Sequence, residues 1–119
     1  MAPKVLYIHS KNEPPDWAQR TFDEWGLELV AGANDTDRLE RARLSDIVGL
    51  LLDLDDLQMD GLTILTNLRH QLLQIPIIVI GSNGTEHLLI QALTKGAQDY
   101  LLKPISIDEM HDKCMRLFN

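Results

Sequence analysis

Several short stretches of this 119-residue chain carry side chains able to handle a phosphoryl group and a cation: Asp53 with Asp55 and Asp56, Lys103, His9 with Ser10, and Gly81 with Ser82. Each lies at or just past the end of an apolar run. A carboxylate can act as a nucleophile, carboxylate oxygens suit Mg²⁺, and a lysine supplies a mobile point charge for phosphoryl oxygens. An acidic cluster facing a lysine would therefore hold a cation and a phosphoryl group together, with the aspartate as nucleophile. Single acidic residues after strands are also ordinary loop features. These side chains can act together only if the fold assembles the stretches in one place.

Other constellations argue against competing chemistry. Ser10 beside His9, and Cys114, lack a visible third partner for a hydrolase. His70, His87 and His111 are expected on separate helices, so a zinc site is not suggested. The segment Lys11-Asn12-Glu13-Pro14-Pro15 is nothing like the Gly-rich and hydroxyl-rich loop of a flavin carrier. A net charge of -7 disfavours nucleic-acid binding by this domain, because phosphate contacts need clustered Lys and Arg. The single cysteine, Cys114, rules out an internal disulfide and is expected as a small core residue.

The elements that position these residues follow from periodicity. Short apolar runs alternate with amphipathic stretches, the signature of repeated βα units around a parallel sheet. Strands are expected at Val5–His9, Leu27–Ala31, Val48–Leu52, Pro76–Ile80 and Asp99–Leu102. The third and fourth are unbroken apolar runs, as strands covered on both faces should be. The first helix starts near Pro15 and stops at Gly26, with Ala18, Phe22 and Trp25 on one face. Both Trp25 and the neighbouring Trp17 are expected in the core.

Asn34–Thr36 would cap a polar second helix ending near Leu44, and Leu62, Leu65, Leu68 and Leu72 mark the third. The fourth helix, Thr85–Lys95, closes at Gly96. The fifth opens with a Ser106/Glu109 capping box and carries Ile107, Met110, Cys114 and Leu117 at helical spacing. No linker or repeat interrupts the chain, so residues 1–119 read as one domain. In such an open sheet, ligands gather at the carboxyl ends of the strands. That rule brings Asp53, Lys103, His9, Ser10, Gly81 and Ser82 together.

Three blocks give the chain a family resemblance. Leu51-Leu52-Asp53 followed by Met59-Asp60-Gly61, the strand Ile75-Pro76-Ile77-Ile78-Val79-Ile80, and Gly96-Ala97-Gln98-Asp99-Tyr100-Leu101-Leu102-Lys103-Pro104 resemble, in order and spacing, the receiver domain of two-component response regulators. The resemblance covers essentially the whole chain. It implies an α/β, flavodoxin-like (βα)5 three-layer sandwich with parallel strand order 2-1-3-4-5. It also implies that Asp53 is the phosphoacceptor and that Lys103 pairs with the phosphoryl oxygens. Asp53 and Asp55, the latter through its backbone carbonyl and its side chain, would hold Mg²⁺. Tyr100 would be the switch aromatic that reports to the surface of the fourth helix, fifth strand and fifth helix.

The chain departs from the family pattern at two places. Active receivers usually end the first strand with two acidic residues, where this chain has His9 and Ser10, so the Mg²⁺ site is weakened and leans on Asp53 with Asp55 or Asp56. A neutral imidazole is a poor substitute ligand for this hard cation. The hydroxyl that the family places at the end of the fourth strand is replaced by Gly81, and Ser82 reaches the site only if the loop shifts by one residue. Leu57, where the family often has Pro, is a milder difference.

Two functions follow. In one, the domain accepts phosphate on Asp53 from a histidine kinase, a phosphotransfer protein or a small phosphodonor, with no enzymatic activity beyond that self-phosphorylation, and signals to a homodimer partner or to an output domain beyond Asn119. In the other, it is a pseudo-receiver, an interaction module with a standing Asp53–Lys103 ion pair. Met110, His111 and Phe118 would extend an apolar edge of the signalling surface, or else belong to the core. The longest apolar runs are far too short to span a membrane and no signal peptide is evident, so the chain is expected in the cytoplasm.

Overall fold

The computed structural model describes residues 2–10, 13–32, 47–55, 61–71 and 74–118. Alternating apolar runs and helical stretches become β1 (Lys4–Ile8), α1 (Asp16–Glu24), β2 (Glu28–Gly32), β3 (Ile47–Asp53), α2 (Gly61–Gln71), β4 (Ile77–Gly81), α3 (Glu86–Thr94), β5 (Asp99–Leu102) and α4 (Ile107–Leu117). The second helix expected at 34–44 lies outside the described residues, as do Asp56, Leu57, Met59, Asp60 and Leu72. Thus α2, α3 and α4 correspond to the third, fourth and fifth helices of the sequence reading.

The strands form one parallel sheet in the order β2-β1-β3-β4-β5, the flavodoxin-like arrangement expected. Strand periodicity sorts side chains to its two faces. Val5 and Tyr7 of β1, Leu51 of β3, Ile78 and Ile80 of β4 and Leu101 of β5 face α1 and α4, where they meet Ala18, Phe22, Met110, Cys114 and Phe118. Leu6, Ile8, Leu50, Leu52, Ile77 and Val79 face α2 and α3, packing on Ile64, Leu65, Leu68, Leu89 and Ala92. The central strands are buried on both sides, which is why their sequences are apolar without alternation. Each fully buried Leu or Ile contributes roughly 1.5 to 3 kcal/mol relative to exposure, so these layers fix the strand ends that carry the polar residues.

The helix boundaries follow local chemistry. Pro15, at φ -55°, precedes α1, and Gly26 and Gly96 turn the chain out of α1 and α3 at φ 77° and 113°, values that side-chain-bearing residues rarely adopt. Ser106 Oγ accepts the Glu109 N–H at 3.3 Å, as the capping box requires.

One packing expectation needs correction. Trp17 is 41% exposed rather than in the core, because α1 turns that position outward beside a surface pocket, and Trp25 is half-buried against Phe22 and His111. Of the two places open to Met110 and Phe118, an apolar edge or the core, the structure puts both in the core. Phe118 lies flat against Gly49 of β3, where a Cβ would come within 2.1 Å of its ring. Among the described residues of α3, β5 and α4, the exposed large apolar side chains are Ile90 and Leu93 on α3, Tyr100 on β5 and Ile107 at the start of α4.

Candidate functional site

Because all the strands are parallel, their carboxyl ends share one edge, and the register there is specific. Ile8 pairs with Leu52, Asp53 with Ile80, and Gly81 with Leu102. His9 and Asp53 are therefore the next residues along neighbouring strands, and both follow the alternation onto the face of α1 and α4. Two backbone bonds extend the ladder past the strands: Leu54 N–H to Ile80 O at 2.9 Å and Lys103 N–H to Gly81 O at 2.8 Å. They bring the Asp53, Gly81 and Lys103 backbones into one row.

Asp53 is 5% exposed, and a buried carboxylate needs partners. Lys103 Nζ lies 2.9 Å from one of its oxygens and 3.1 Å from the other. The Asp55 N–H donates to Oδ1 at 3.0 Å, and the Asp55 carboxylate lies 3.7 Å from the same lysine. The structure thus assembles Asp53, Asp55 and Lys103, residues separated by 50 positions, into one ion cluster.

The remaining positions named from the sequence sit differently. His9 is buried, with Nε2 2.7 Å from the Glu13 carbonyl and its ring edge-on to Tyr7. Ser10 is exposed. Gly81 is buried at the end of β4. Ser82 stands in a turn, where both its N–H and its carbonyl are bonded to Thr85. Tyr100 is 38% exposed, away from the ion cluster, with Lys113 Nζ 5.0 Å from its ring centre. Lys113 is itself held by Asp99 at 3.1 Å and by the Tyr100 carbonyl, and Arg116 reaches Asp99 at 3.0 Å. His70, His87 and His111 fall on α2, α3 and α4, as expected.

Asp53, Lys103 and His9 form the floor of a pocket of about 700 Å³, walled by Glu13, Asp16, Trp17, Pro104 and Ile107. The Lys103–Pro104 peptide beside it is cis. Sequence reasoning missed the pocket walls and Thr85. The walls come from a loop and two helix starts with no shared spacing, and only the exposure of Trp17 and Ile107, at 41% and 43%, betrays them. Among the described residues, no cluster of three or more His, Cys, Asp and Glu side chains could hold a metal ion. The two carboxylates that converge on Lys103 nevertheless fit Mg²⁺, which takes one or two carboxylates and completes its shell with phosphate and water. The donors that Asp53 and Asp55 offer are hard oxygens, while the His9 ring is turned to the Glu13 carbonyl.

The model of the response regulator receiver domain matches residues 16–115. The chain is 34% identical over 116 residues to the C4-dicarboxylate transport transcriptional regulatory protein DctD of Pseudomonas aeruginosa, covering 95% of this chain and 24% of that protein. It is 31% identical over 107 residues to the transcriptional regulatory protein HprR of Escherichia coli, covering 90% and 48%. The chain thus spans half or less of the length of these relatives. The crystal structure of a response regulator receiver domain protein from Clostridium thermocellum superposes with a TM-score of 0.86 at 18% identity, covering 98% of this chain and 94% of that one. That likeness shows the shared fold. Among the described residues, no helix is long and apolar enough to cross a membrane.

Proposed function

The chain belongs to the response regulator receiver domains, and from that premise we propose that Asp53 accepts a phosphoryl group and that the state of Asp53 is passed to the surface formed by α3, β5 and α4. Receiver domains are generally not enzymes in their own right, interact with histidine kinases, and often precede an output domain. The observation that carries the reading is the burial of Asp53 at the end of β3 with both oxygens on Lys103.

In the proposed step, an Asp53 carboxylate oxygen bonds to the phosphorus of a phosphohistidine or a small acyl phosphate. The bond from phosphorus to the donor breaks, and its electron pair leaves with the donor, giving an acyl phosphate. Before the step, Lys103 holds the carboxylate in place; afterwards it meets the added oxygens as a mobile cation. Receiver domains typically bind Mg²⁺ at the acidic pocket. Here Asp53 and Asp55, through carboxylate oxygens and the Asp55 carbonyl, would hold it, and it would supply charge neutralisation between the carboxylates and phosphate. His9 and Ser10 leave the site with fewer oxygen ligands, which makes this Mg²⁺ site a weak one. The pocket beside Asp53 gives a donor access from the side of α1 and α4.

On the output side, Tyr100, Ile90 and Leu93 are exposed apolar residues of the α3, β5 and α4 surface. We assign partner binding to this surface, whether the partner is a second copy or an output domain beyond Asn119 in a cytoplasmic protein. The lengths of the relatives support an output domain.

The test is intact mass after incubation with Mg²⁺ and acetyl phosphate, beside Asp53→Asn. One phosphoryl adduct, lost in the Asp53→Asn protein, is the expected result. A folded chain that forms no adduct at millimolar Mg²⁺ would overturn the reading in favour of a phosphorylation-independent interaction module.

A further inference from the structure

Thr85 occupies the position before α3 at which a threonine hydroxyl normally accepts a bond from the first turn of the helix. It makes no such bond here. Its Oγ1 instead accepts the Ser82 N–H at 2.9 Å and donates to the Ser82 carbonyl at 2.8 Å, while the Thr85 N–H donates to that carbonyl at 3.0 Å. Both backbone groups of Ser82 are thus committed to one residue. Within the same turn, the Gly84 N–H is held by Glu86 Oε2 at 2.8 Å.

The hydroxyl can take this position because residue 81 has no side chain. A Cβ on Gly81 would come within 2.8 Å of Thr85 Oγ1 and 3.0 Å of Leu89 Cδ2. Gly81 in turn is tied to the ion cluster, since its carbonyl accepts the Lys103 N–H at 2.8 Å. At its other end, Thr85 starts α3, its carbonyl accepting the N–H groups of Leu88 at 2.9 Å and Leu89 at 3.2 Å. One residue therefore joins the turn that follows Gly81 to the first turn of the helix that presents Ile90 and Leu93.

We infer that Thr85 is a positioning residue that clamps the Ser82–Thr85 turn in its resting form and couples its opening to the state of Asp53. The inference rests on the reading of Asp53 as phosphoacceptor. New charge at Asp53 draws on Lys103, whose backbone holds Gly81. The Ser82 hydroxyl moves toward Asp53 only when the Thr85 bonds to Ser82 release, and that release frees the start of α3. Gly81 and Thr85 are then two halves of one device: the glycine leaves the space and the threonine fills it.

The test is amide hydrogen exchange at Ser82, followed by NMR on the full chain in the parent, Thr85→Val and Thr85→Ser proteins, each with Asp53 and with Asp53→Asn, and normalised to core amides. Valine keeps the shape and removes the hydroxyl. Losing its two bonds should speed Ser82 exchange about tenfold, while serine should stay within about twofold of the parent. Asp53→Asn should change Ser82 exchange in the parent and Thr85→Ser proteins and leave it unchanged in Thr85→Val. In parallel, the lifetime of the acetyl phosphate adduct should shift about threefold or more in Thr85→Val and return to the parent value in Thr85→Ser. Unchanged Ser82 exchange in Thr85→Val, or an equal effect of Asp53→Asn in all three backgrounds, would overturn the inference even where the adduct forms. If no adduct forms but the exchange coupling is present, the phosphoacceptor reading falls and the clamp is supported.

Discussion

Removing the two partners of the central ion pair should have unequal effects, and the asymmetry can be worked out from distances. Lys103 Nζ touches both Asp53 oxygens, at 2.9 and 3.1 Å, and stands 3.7 Å from Asp55. Lys103→Met therefore leaves two neighbouring carboxylates without this cation, one of them with a side chain only 6% exposed. Breaking a fully buried pair costs about 3 to 5 kcal/mol, whereas exposed pairs are worth about 0 to 1 kcal/mol. With the lysine side chain 36% exposed, an intermediate loss of about 2 kcal/mol is expected. Asp53→Asn keeps an oxygen for the Asp55 N–H, removes a charge from a crowded acidic corner, and leaves Lys103 to Asp55. Its effect should stay within about 0.5 kcal/mol. Once Asp53 is neutral, Lys103→Met should cost less than about 1 kcal/mol, a coupling of about 1 kcal/mol or more. Urea unfolding of the four proteins in EDTA, with unchanged m-values, measures this cycle. Equal costs for the single substitutions, or additivity in the double, would show that the pair does not hold the site as described.

Two further outcomes follow from the core. Gly49→Ala places a methyl 2.1 Å from the Phe118 ring, so the ring must leave its slot, at a cost of about 2 to 3 kcal/mol in urea unfolding; in a Phe118→Ala background the same change should be nearly neutral, and a full cost there would refute the contact. Burial pushes the Cys114 thiol up to about 12 from an ordinary 9.0. A group that stays protonated in the folded chain and ionises in the unfolded one makes stability fall as pH rises through that window. The loss should approach about 1.4 kcal/mol per pH unit between pH 9 and 12 relative to Cys114→Ala, and alkylation of the native thiol at pH 8 should be slow.

Much of the architecture was legible because it is local. Strands such as Ile77–Gly81 announce themselves as unbroken apolar runs, and Ser106 with Glu109 marks the start of α4 within a few residues. Asp53 and Lys103 could be named because a parallel sheet puts every strand end on one edge, so knowing the ends was enough to know their neighbours. Trp17 was misjudged and Phe118 was left between edge and core for a shared reason. Apolarity states that a side chain gains from burial, while which side chains find room depends on the neighbouring strand, as Gly49 does for Phe118.

What the sequence alone determined is the order of elements, the strand ends, and the residue types available there: carboxylates, one lysine, and no side chain at Gly81. Periodicity and capping act over a few residues, so a linear reading contains them. Only the tertiary structure decided that Lys103 contacts Asp53 and Asp55 together, that His9 is turned to the Glu13 carbonyl, and that the Thr85 hydroxyl fills the space left by Gly81. The first joins segments 50 positions apart, the other two are side-chain choices within four residues, and all three are settled by packing the two helix layers against one sheet.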